Sequence, residues 1–375
     1  MQRIKLGMMG GGIGAFIGDA HRRGARITNK YDLIGGVFDV DYERSKEFAK
    51  YEGISLDRCY ATLEDFIKGE LALPKEERIE AVSIVTPNNL HYPMAKMLLE
   101  NGFHLICEKP MTMTVEEAED LEKIVNETGL TFALLHTYTG YPMVRQIREM
   151  VNKGELGDIQ RIDAKYYQGW INPIAHGGKI SEVWRLNPKA AGVSSCMGDI
   201  GVHAFNLIEY TTGLEVTEVL ADLSKVVSEV ELDLDGTVLI RTNGNAKGVL
   251  RSSQMAIGEE NNLSIAIYGS KAGVKWSQEN PNYLKILSDD KPVQTMKPAH
   301  PYNSNFAAIS HTMPPGHPEG IYEAIANIYS GAAKQIKGEE IISGEYPTVV
   351  DGVRGMKFIH NVVKSSSQNG EWIKL

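Results

Sequence analysis

The sequence predicts an α/β Rossmann domain followed by an α+β domain built on a large, mainly antiparallel open sheet. Over residues 1–137, short aliphatic runs alternate with longer amphipathic ones, as in β-α-β units with a parallel sheet. Over 138–375, many segments alternate apolar and polar residues, which is typical of half-buried antiparallel strands. The chain of 375 residues also exceeds what one hydrophobic core usually supports.

The predicted elements follow one another in a regular order. Five brief aliphatic runs, typical of strands covered on both faces, predict the parallel strands at 4–9, 33–38, 81–85, 104–107 and 132–135. The clearest helix is 114–129, where Thr114 and Glu117 form a capping box and Gly129 occupies the usual terminating position. Alternating runs at 162–166, 216–227, 235–241, 247–256 and 263–267 predict the second sheet, with helices near 142–153, 200–212, 320–336 and 348–364. The last two helices could cover either domain.

Composition excludes several classes of protein. Lys and Arg number 39 against 48 Asp and Glu, a formal net charge of −9, and there is no long basic run. Nucleic acid and anionic membranes are therefore not expected partners. The three cysteines, Cys59, Cys107 and Cys196, are far apart and odd in number, which favours thiols in a reducing compartment. With no apolar stretch suited to a signal peptide or a membrane span, we expect a cytoplasmic protein.

A glycine-rich segment directly follows the first predicted strand and precedes a helical pattern. The segment at 10–15 reads GGGIGA and matches G-x-G-x-x-G/A, with Ala15 in the last place. Such glycines let the backbone approach a pyrophosphate, whose charge is met by amides at the following helix N-terminus. We expect Gly10 and Gly12 to bind a dinucleotide, with Ile13 and Gly14 beside it, although a glycine cluster can also simply make a turn.

Asp39 ends the second predicted strand, at about the spacing where an acidic group accepts hydrogen bonds from the adenosine ribose. Its charge would repel a 2′-phosphate, so NAD is favoured over NADP. Arg44, a few residues later, could instead attract such a phosphate. In the simpler alternative, Asp39 only starts a helix.

Polar segments also follow the third and fourth predicted strands. The third is followed by Thr86-Pro87-Asn88-Asn89-Leu90-His91 and the fourth by Glu108-Lys109-Pro110. Ligands bind at the carboxyl edge of an open parallel sheet, so both segments should face the nicotinamide half of the cofactor. Lys109 is the first catalytic candidate, because the following proline restricts its backbone and its ammonium group can reach a substrate hydroxyl. A lone Lys-Pro can also be a surface lysine at a strand end.

Asp199 and His203 lie four residues apart and share a face if this segment is helical. The imidazole could accept the hydroxyl proton as hydride leaves the carbon, while the carboxylate orients it or holds the hydroxyl. The pair could also be a local surface pair or two metal ligands. No HExxH motif or Cys/His cluster accompanies it, and hydride transfer to NAD needs no metal, so no metal is predicted.

In this order and spacing, these motifs closely resemble the glucose-fructose oxidoreductase/inositol dehydrogenase family (Gfo/Idh/MocA). They are the glycine segment, Thr-Pro-Asn-x-x-His at 86–91, Glu-Lys-Pro at 108–110 and Asp-x-Gly-x-His at 199–203. The resemblance spans nearly the whole chain, including the turn at 154–157 and the helix start at 347–352. It implies an NAD-binding Rossmann domain at 1–137. It also implies a catalytic domain at 138–375 whose open sheet forms a homo-oligomer interface.

The resemblance also implies roles for individual residues. Lys109, Asp199 and His203 would be the catalytic trio, with His203 as base and Lys109 stabilising the developing alkoxide. The residues implied to line the cofactor are Thr86, Asn88, His91, Glu108 and Lys109. The chain departs from the family pattern at 193–195, where glycines are common, and at Asn206, where Asp is common. Both departures bear on the choice of substrate.

Four further side chains could shape a sugar pocket, because aromatic faces stack on C–H-rich sugar surfaces and polar groups bond hydroxyls. They are Gln168, Trp170, Trp184 and Arg185. The tryptophans could equally fill a core or an interface. His317 lies in a Gly-His-Pro-Glu-Gly segment that resembles one in sugar-oxidising members of the family.

The expected function is NAD-dependent oxidation of a secondary hydroxyl of a sugar, glycoside or cyclitol. The glycine segment and the Trp184-Arg185 stretch look most like a branch that acts on pyranosides, which suggests C3 of a glucoside. The alternatives are a myo-inositol dehydrogenase, an NAD-dependent glycosidase acting through a transient keto-sugar, and a non-catalytic sensor of dinucleotides. Retention of the catalytic trio argues against the sensor.

Overall fold

A computed structural model describes residues 2–375 of the chain. The described residues divide into two compact units. One holds the described part of Met1–Thr112 together with Glu116–Gly140 and Ile321–Val353, and the other holds Met113–Val115, Tyr141–Gly320 and Arg354–Leu375.

Strands and helices are numbered separately, each in chain order. The strands are β1 (Ile4–Gly10), β2 (Tyr31–Val37), β3 (Ala81–Val85), β4 (His104–Cys107), β5 (Phe132–Leu134), β6 (Ile159–Tyr167), β7 (Val216–Ser224), β8 (Asp235–Thr242), β9 (Lys247–Ser253), β10 (Asn262–Gly269), β11 (Gly273–Ser277), β12 (Leu284–Leu287), β13 (Gln294–Met296) and β14 (Ile373–Lys374). The helices are α1 (Phe16–Thr28), α2 (Tyr42–Glu52), α3 (Leu63–Ala72), α4 (His91–Glu100), α5 (Val115–Thr128), α6 (Pro142–Asn152), α7 (Asn172–Ala175), α8 (Pro188–Ala191), α9 (Val202–Thr212), α10 (Asn305–Ala308), α11 (Ile321–Ile336) and α12 (Val349–Ser367). Among the described residues, none of these helices is both long and apolar enough to cross a bilayer.

The first unit contains the predicted Rossmann fold. Its five strands pair in parallel in the order β2-β1-β3-β4-β5, so the carboxyl ends of all five lie at one edge. β1, β3, β4 and β5 are buried nearly throughout, as their aliphatic runs predicted, whereas β2 is partly exposed. The capping-box helix begins at Val115 and ends at Thr128, and Gly129 follows it with φ 67°. The Rossmann prediction is confirmed.

The first unit also takes a segment from late in the chain. The division at residues 137 and 138 assigned everything after that point to the second domain, but α11 belongs to the first unit. Its apolar side chains, among them Ile325, Ile328 and Tyr329, share a core with Leu6 of β1 and Ile106 of β4. The physical reason is that the face of the parallel sheet under α11 needs an apolar cover.

The second unit is built on a nine-stranded sheet in the order β13-β12-β11-β10-β6-β9-β8-β7-β14. Neighbouring strands are antiparallel except β6 and β9, which pair in parallel. The alternating sequence puts one side chain in two into the core, as along β8, where Val238 and Ile240 are buried and Leu239 is exposed. Phe205 of α9 stacks on Phe358 of α12 at 4.4 Å between ring centroids. This agrees with the predicted mainly antiparallel open sheet.

Candidate functional site

The glycine segment makes a tight loop at the carboxyl end of β1. Gly10, Gly11 and Gly14 have positive φ angles of 79°, 74° and 83°. Gly12 donates its N–H to the Phe38 carbonyl oxygen at 3.0 Å, and a Cβ at Gly12 would lie 2.7 Å from that same oxygen. A side chain there would displace the backbone, so the loop keeps the close approach that dinucleotide binding requires.

Gly18, inside the first turn of α1, carries a role that the sequence motif assigned to Ala15. A Cβ at Gly18 would lie 2.4 Å from the Gly11 Cα and 2.6 Å from the Gly11 carbonyl oxygen. This is the close helix-to-strand packing that the third glycine of a dinucleotide-binding loop provides. The loop therefore has three more residues before that glycine than the match at 10–15 assumed. The glycine three residues beyond Ala15 was the signal available in the sequence.

The N-terminus of α1 opens onto a groove of about 610 Å³ in the first unit. Ala15 precedes the helix, and no side chain among the described residues caps it. Its first amides are therefore available to an anion, as they are in dinucleotide-binding folds. The groove brings predicted cofactor residues together: Gly10, Gly12, Ile13, Asp39 and Thr86. The loop backbone, the uncapped helix and an acid at one groove fit a dinucleotide.

Asp39 lies just after β2 in this groove. Its Oδ2 accepts a hydrogen bond from Arg44 Nε at 3.0 Å, and its Oδ1 accepts one from the Asp41 backbone N–H at 3.0 Å. Arg44 thus lies against the acid that we expect to hold the ribose. Arg44 could instead bind a 2′-phosphate if the charge of Asp39 were removed.

The two strand-end segments are tied together by His91, the first residue of α4. This histidine is fully buried, and its ring nitrogens lie 2.8 Å from the Pro110 carbonyl oxygen and 2.9 Å from the Thr86 carbonyl oxygen. Burial lowers the pKa of His91. Asn88 lies in the short turn before α4 and is buried. The ring of His91 orients the segments rather than presenting itself to the groove.

Glu108 and Lys109 follow β4 at the same sheet edge as the glycine loop. Glu108 is only 7% exposed; its Oε1 lies 3.1 Å from His21 Nε2, and its Oε2 accepts the Lys109 backbone N–H at 3.1 Å. Burial raises the pKa of Glu108, but the hydrogen bond from His21 and the charges of His21 and Lys109 outweigh it and lower this pKa. Glu108 is therefore an anion that is bound to the backbone N–H of Lys109. The peptide bond between Lys109 and Pro110 is cis.

His136, just after β5, is a neighbour of Lys109 that the sequence did not single out. It is almost completely buried, and burial lowers its pKa to about 3, with a further lowering by the charge of Lys109. His136 is thus neutral at physiological pH and adds no positive charge at this edge. A lone histidine after an apolar strand gave no signal in the sequence that it would lie near Lys109 as a neutral group.

In the second unit, the Asp-x-Gly-x-His segment begins in a π-helical turn. Met197–Gly201 forms this turn, and α9 continues from it, so that Asp199 lies in the π turn and His203 in the first turn of α9. π turns inside helices occur often at functional sites. His203 is 8% exposed, and its ring centroid lies 6.2 Å from that of Tyr166. The segment is helical, as the shared-face prediction required.

The Asp199 carboxylate is held from two sides. Gln254 Nε2 donates to its Oδ2 at 3.1 Å, and Arg185 Nε lies 3.4 Å from its Oδ1. The Gln254 oxygen in turn accepts a hydrogen bond from Ser195 Oγ at 3.1 Å. Arg185 and Asp199, both predicted site residues, are therefore brought together, and Gln254 is a partner that sequence reasoning missed.

A buried carboxylate, that of Asp233, supports the start of the π turn. The Asp233 carboxylate accepts hydrogen bonds from the backbone N–H groups of Ser195 at 3.1 Å and Met197 at 3.0 Å. Its backbone carbonyl oxygen accepts one from the backbone N–H of Cys196 at 3.0 Å. Burial raises the pKa of Asp233. This support comes from a distant loop, so no local pattern around Asp199 could have indicated it.

Two of the predicted sugar-pocket residues belong to a polar row beside β6. Trp170 Nε1 donates to Gln168 Oε1 at 3.0 Å, and Gln168 Nε2 donates to Asn261 Oδ1 at 2.9 Å. Asn261 Oδ1 also accepts the Tyr166 hydroxyl at 2.5 Å. Trp170 keeps 37% of its surface exposed. The row therefore links an exposed indole to the tyrosine that neighbours His203.

Of the other predicted substrate residues, Trp184 and Arg185 lie near Asp199, whereas His317 lies in a separate loop. The Arg185 guanidinium lies over the Trp184 ring at 4.5 Å, so both accompany Asp199. His317 lies in an exposed loop, where its Nδ1 is 3.3 Å from the Pro314 carbonyl oxygen. That loop is fastened by the buried Glu319, which accepts hydrogen bonds from Thr312 and Met313.

Comparison with known proteins defines the class. Residues 4–136 match the model of an oxidoreductase family with an NAD-binding Rossmann fold, and 144–275 match that of the GFO/IDH/MocA C-terminal domain. The chain is therefore an oxidoreductase with an NAD-binding domain. More particularly, it belongs to the Gfo/Idh/MocA family, which confirms the resemblance of the motifs.

Individual relatives agree with this assignment. An uncharacterised oxidoreductase of Bacillus subtilis is 32% identical over 99% of this chain and 96% of its own length. Levoglucosan dehydrogenase of Pseudarthrobacter phenanthrenivorans is 24% identical over 82% of this chain and 84% of its own. The crystal structure of an inositol dehydrogenase homologue from Azotobacter vinelandii complexed with NAD+ is 30% identical, with a TM-score of 0.93 over 100% of this chain and 98% of that one. An inositol dehydrogenase homologue from this organism has also been solved with NADH and myo-inositol.

Replacing Asp39 by Ala should weaken NADH binding and strengthen NADPH binding. Loss of hydrogen bonds to a charged acceptor should raise the dissociation constant for NADH by about tenfold or more. NADPH should gain because the repelling charge is gone and Arg44 is released. Both constants can be measured by fluorescence titration.

Asp41→Asn is the matched control, because it removes a neighbouring charge but keeps a side chain that caps α2. It should leave the NADH-to-NADPH preference unchanged. The same preference in Asp39→Ala as in the wild type would show that Asp39 does not discriminate between the cofactors.

His136 should make the protein less stable in acid. Its ordinary pKa is 6.5 and its pKa in the folded protein is about 3, so below pH 6.5 the unfolded chain binds a proton that the folded chain does not. Its stabilising contribution is complete above pH 6.5 and is lost as the pH falls. Between about pH 7 and about pH 5.5, the wild type should lose about 1 kcal/mol more unfolding free energy than His136→Gln.

Urea unfolding at both pH values measures this difference. His176→Gln, which changes an exposed histidine, should keep the wild-type pH dependence. Parallel pH dependences for His136→Gln and the wild type would contradict the buried neutral imidazole.

Proposed function

We propose that this protein oxidises a secondary hydroxyl of a sugar, glycoside or cyclitol with NAD, and that C3 of a glucoside is the first position to test. The observation that carries the proposal is the place of Lys109. It follows β4 at the same carboxyl edge of the parallel sheet as the glycine loop, which is the edge where open α/β sheets bind their ligands.

The cofactor residues follow from the groove. The loop at Gly10 and Gly12 and the uncapped start of α1 would hold the pyrophosphate, with Ile13 and Gly14 beside it, and Asp39 would hold the adenosine ribose. Thr86, Asn88, Glu108 and Lys109 would border the nicotinamide end, with His91 holding their segments in place. When bound, NAD supplies the acceptor for a hydride.

Three side chains are proposed to act on one hydroxyl. A ring nitrogen of His203 accepts the hydroxyl proton as the C–H bond breaks and the carbonyl forms, so the alcohol loses one proton and one hydride. The Lys109 ammonium group stabilises the negative charge that develops on the oxygen. Asp199, fixed by Gln254 and Arg185, orients the hydroxyl. The product is the corresponding ketone.

The substrate class is supported by the second unit and by the relatives. The partly exposed Trp170 beside the amide of Gln168 suits a ring with a C–H-rich face and several hydroxyls. Trp184 and Arg185 add another aromatic and polar pair next to Asp199. The relatives named above include a levoglucosan dehydrogenase and an inositol dehydrogenase homologue. His317 is proposed to contact the substrate from its loop.

Screening inositols, free sugars and glycosides with NAD should give absorbance of NADH with at least one of them. With that substrate, Lys109→Ala and His203→Ala should each lower kcat by about 100-fold or more, with little change in NADH affinity, because both groups act on the reacting hydroxyl. Lys68→Ala, at an exposed position on α3, and His176→Ala should keep wild-type turnover.

Two outcomes would contradict the proposal. Release of free aglycone from a glycoside without accumulation of NADH would indicate the NAD-dependent glycosidase instead. Absence of turnover with every polyol, together with normal binding of NADH and a sugar, would indicate a sensor.

We also propose that the exposed face of the nine-stranded sheet forms a homo-oligomer interface. On this face Lys165 pairs with Arg251 and Lys275 with Lys285, directly opposite each other. Like charges so placed are unfavourable without a compensating partner. Acidic side chains near the other end of the face, such as Asp222, could supply it from a second copy.

We propose further that the protein works in the cytoplasm, because its three buried free thiols suit a reducing compartment.

Reversing the charge in Lys275→Glu/Lys285→Glu should therefore dissociate the oligomer. Light scattering coupled to size-exclusion chromatography measures the mass of each species. Lys50→Glu, at an exposed position of α2 in the first unit, is the matched control and should keep the wild-type mass. A monomeric wild type, or an oligomer that survives the double reversal, would refute this interface.

A further inference from the structure

Four polar side chains form a continuous buried series in the first unit. Ser83 Oγ lies 2.6 Å from the Tyr329 hydroxyl, which lies 2.8 Å from His21 Nδ1, and His21 Nε2 lies 3.1 Å from Glu108 Oε1. Ser83, His21 and Tyr329 are fully buried. The series joins β3, α11, α1 and the segment after β4, which are far apart in the sequence. Neither the cofactor contacts nor the proposed chemistry uses the first three of these groups.

The protonation state of Glu108 sets the direction of its hydrogen bond with His21, and a neutral His21 then sets the direction of the other two. Glu108 is ionised, since its pKa is lowered, and its carboxylate can only accept, so His21 must carry a proton on Nε2. When this imidazole carries no second proton, its Nδ1 is an acceptor. Burial raises the pKa of Tyr329, so its phenol stays protonated and donates to Nδ1. Ser83 completes the series by donating to the Tyr329 oxygen.

We propose that Tyr329 and His21 are positioning residues for Lys109, acting through Glu108. The inference rests on the proposed role of Lys109 in catalysis. His21 holds one oxygen of the Glu108 carboxylate, and the other oxygen accepts the Lys109 backbone N–H. The carboxylate is therefore fixed at both oxygens, and the backbone that carries Lys109 is fixed with it. Tyr329 holds the imidazole in the tautomer that can donate to Glu108.

The end of the series at Glu108 favours a positioning role over one in stability alone. Most residues in the core shared by α1, α11 and the sheet are apolar, such as Ala20, Ile325 and Ile328. Buried polar groups add little net stability to such a core, and each one leaves a costly orphan if its partner is lost. A series that ends on the carboxylate beside Lys109 is instead suited to setting the position of that residue.

The chain offers a matched pair of substitutions. Tyr329→Phe removes the hydroxyl that bonds His21. Tyr31→Phe removes a hydroxyl that donates to the Tyr329 backbone carbonyl oxygen at 2.9 Å, and the Tyr31 ring packs edge-on against Tyr329 at 5.2 Å. Both variants lose one buried hydroxyl in the same core, but only the first interrupts the series. We expect similar losses of thermal stability from the two.

Turnover should separate them. With the substrate found by screening, Tyr329→Phe should lower kcat by about tenfold with unchanged KM for NAD, because displaced catalytic groups slow the reacting step. Tyr31→Phe should stay within about twofold of the wild type. His21→Gln, which keeps a donor toward Glu108, should retain more activity than His21→Leu. Equal kcat values for Tyr329→Phe and Tyr31→Phe, at equal stability, would overturn the proposal.

A second measurement needs no substrate. Reductive methylation with ¹³C-formaldehyde labels the lysines, and Lys109→Arg identifies the Lys109 signal in NMR spectra. That signal should move or broaden in Tyr329→Phe and stay unchanged in Tyr31→Phe, with or without NADH. An unchanged signal in Tyr329→Phe would refute the positioning role. Absence of turnover in the wild type together with a shifted signal would refute only the proposed oxidation.

Discussion

The close contact between α1 and the end of β1 is the constraint on which the rest of the first unit depends. Gly18 approaches Gly11 so closely that no side chain fits at this position. The contact sets the start of α1, and the helix begins without a side-chain cap among the described residues, next to the glycine loop. The same helix, one turn later, carries His21 into the core and onto Glu108. One backbone contact thus serves both the dinucleotide groove and the anion beside Lys109.

Three buried or half-buried carboxylates are held in three different ways. Glu108 is bound by an imidazole and lies near a cation, and its pKa is lowered despite burial. Asp233 receives mainly backbone N–H groups, and its pKa is raised because burial dominates. Asp199 lies between an amide and a guanidinium at the start of α9. Glu108 precedes the proposed catalytic Lys109, and Asp199 is itself a proposed catalytic residue, whereas Asp233 only supports the π turn.

Most residues of the proposed site could be named from the sequence because their signals are local. The glycine loop, Asp39, Lys109 and the helical placement of Asp199 and His203 each depend on a few neighbouring residues. Strand ends in a parallel sheet must also share one edge, which is why the segments at 86–91 and 108–110 could be grouped. Gly18, Gln254, Asp233 and Tyr329 escaped this reasoning because the residues that they contact are distant in sequence or separated by an unexpected loop length.

The sequence by itself determined the Rossmann fold, the alternating strands of the second sheet and the residue types for hydride-transfer chemistry, because periodicity and turn chemistry act over a few residues. Only the tertiary structure decided that α11 covers the parallel sheet and that the tyrosine on it completes a series ending at Glu108. It also decided which partners hold Asp199 and Asp233. The physical reason is that burying an apolar face or satisfying a buried polar group needs a complementary surface, and the folded chain can supply it from any point along its length.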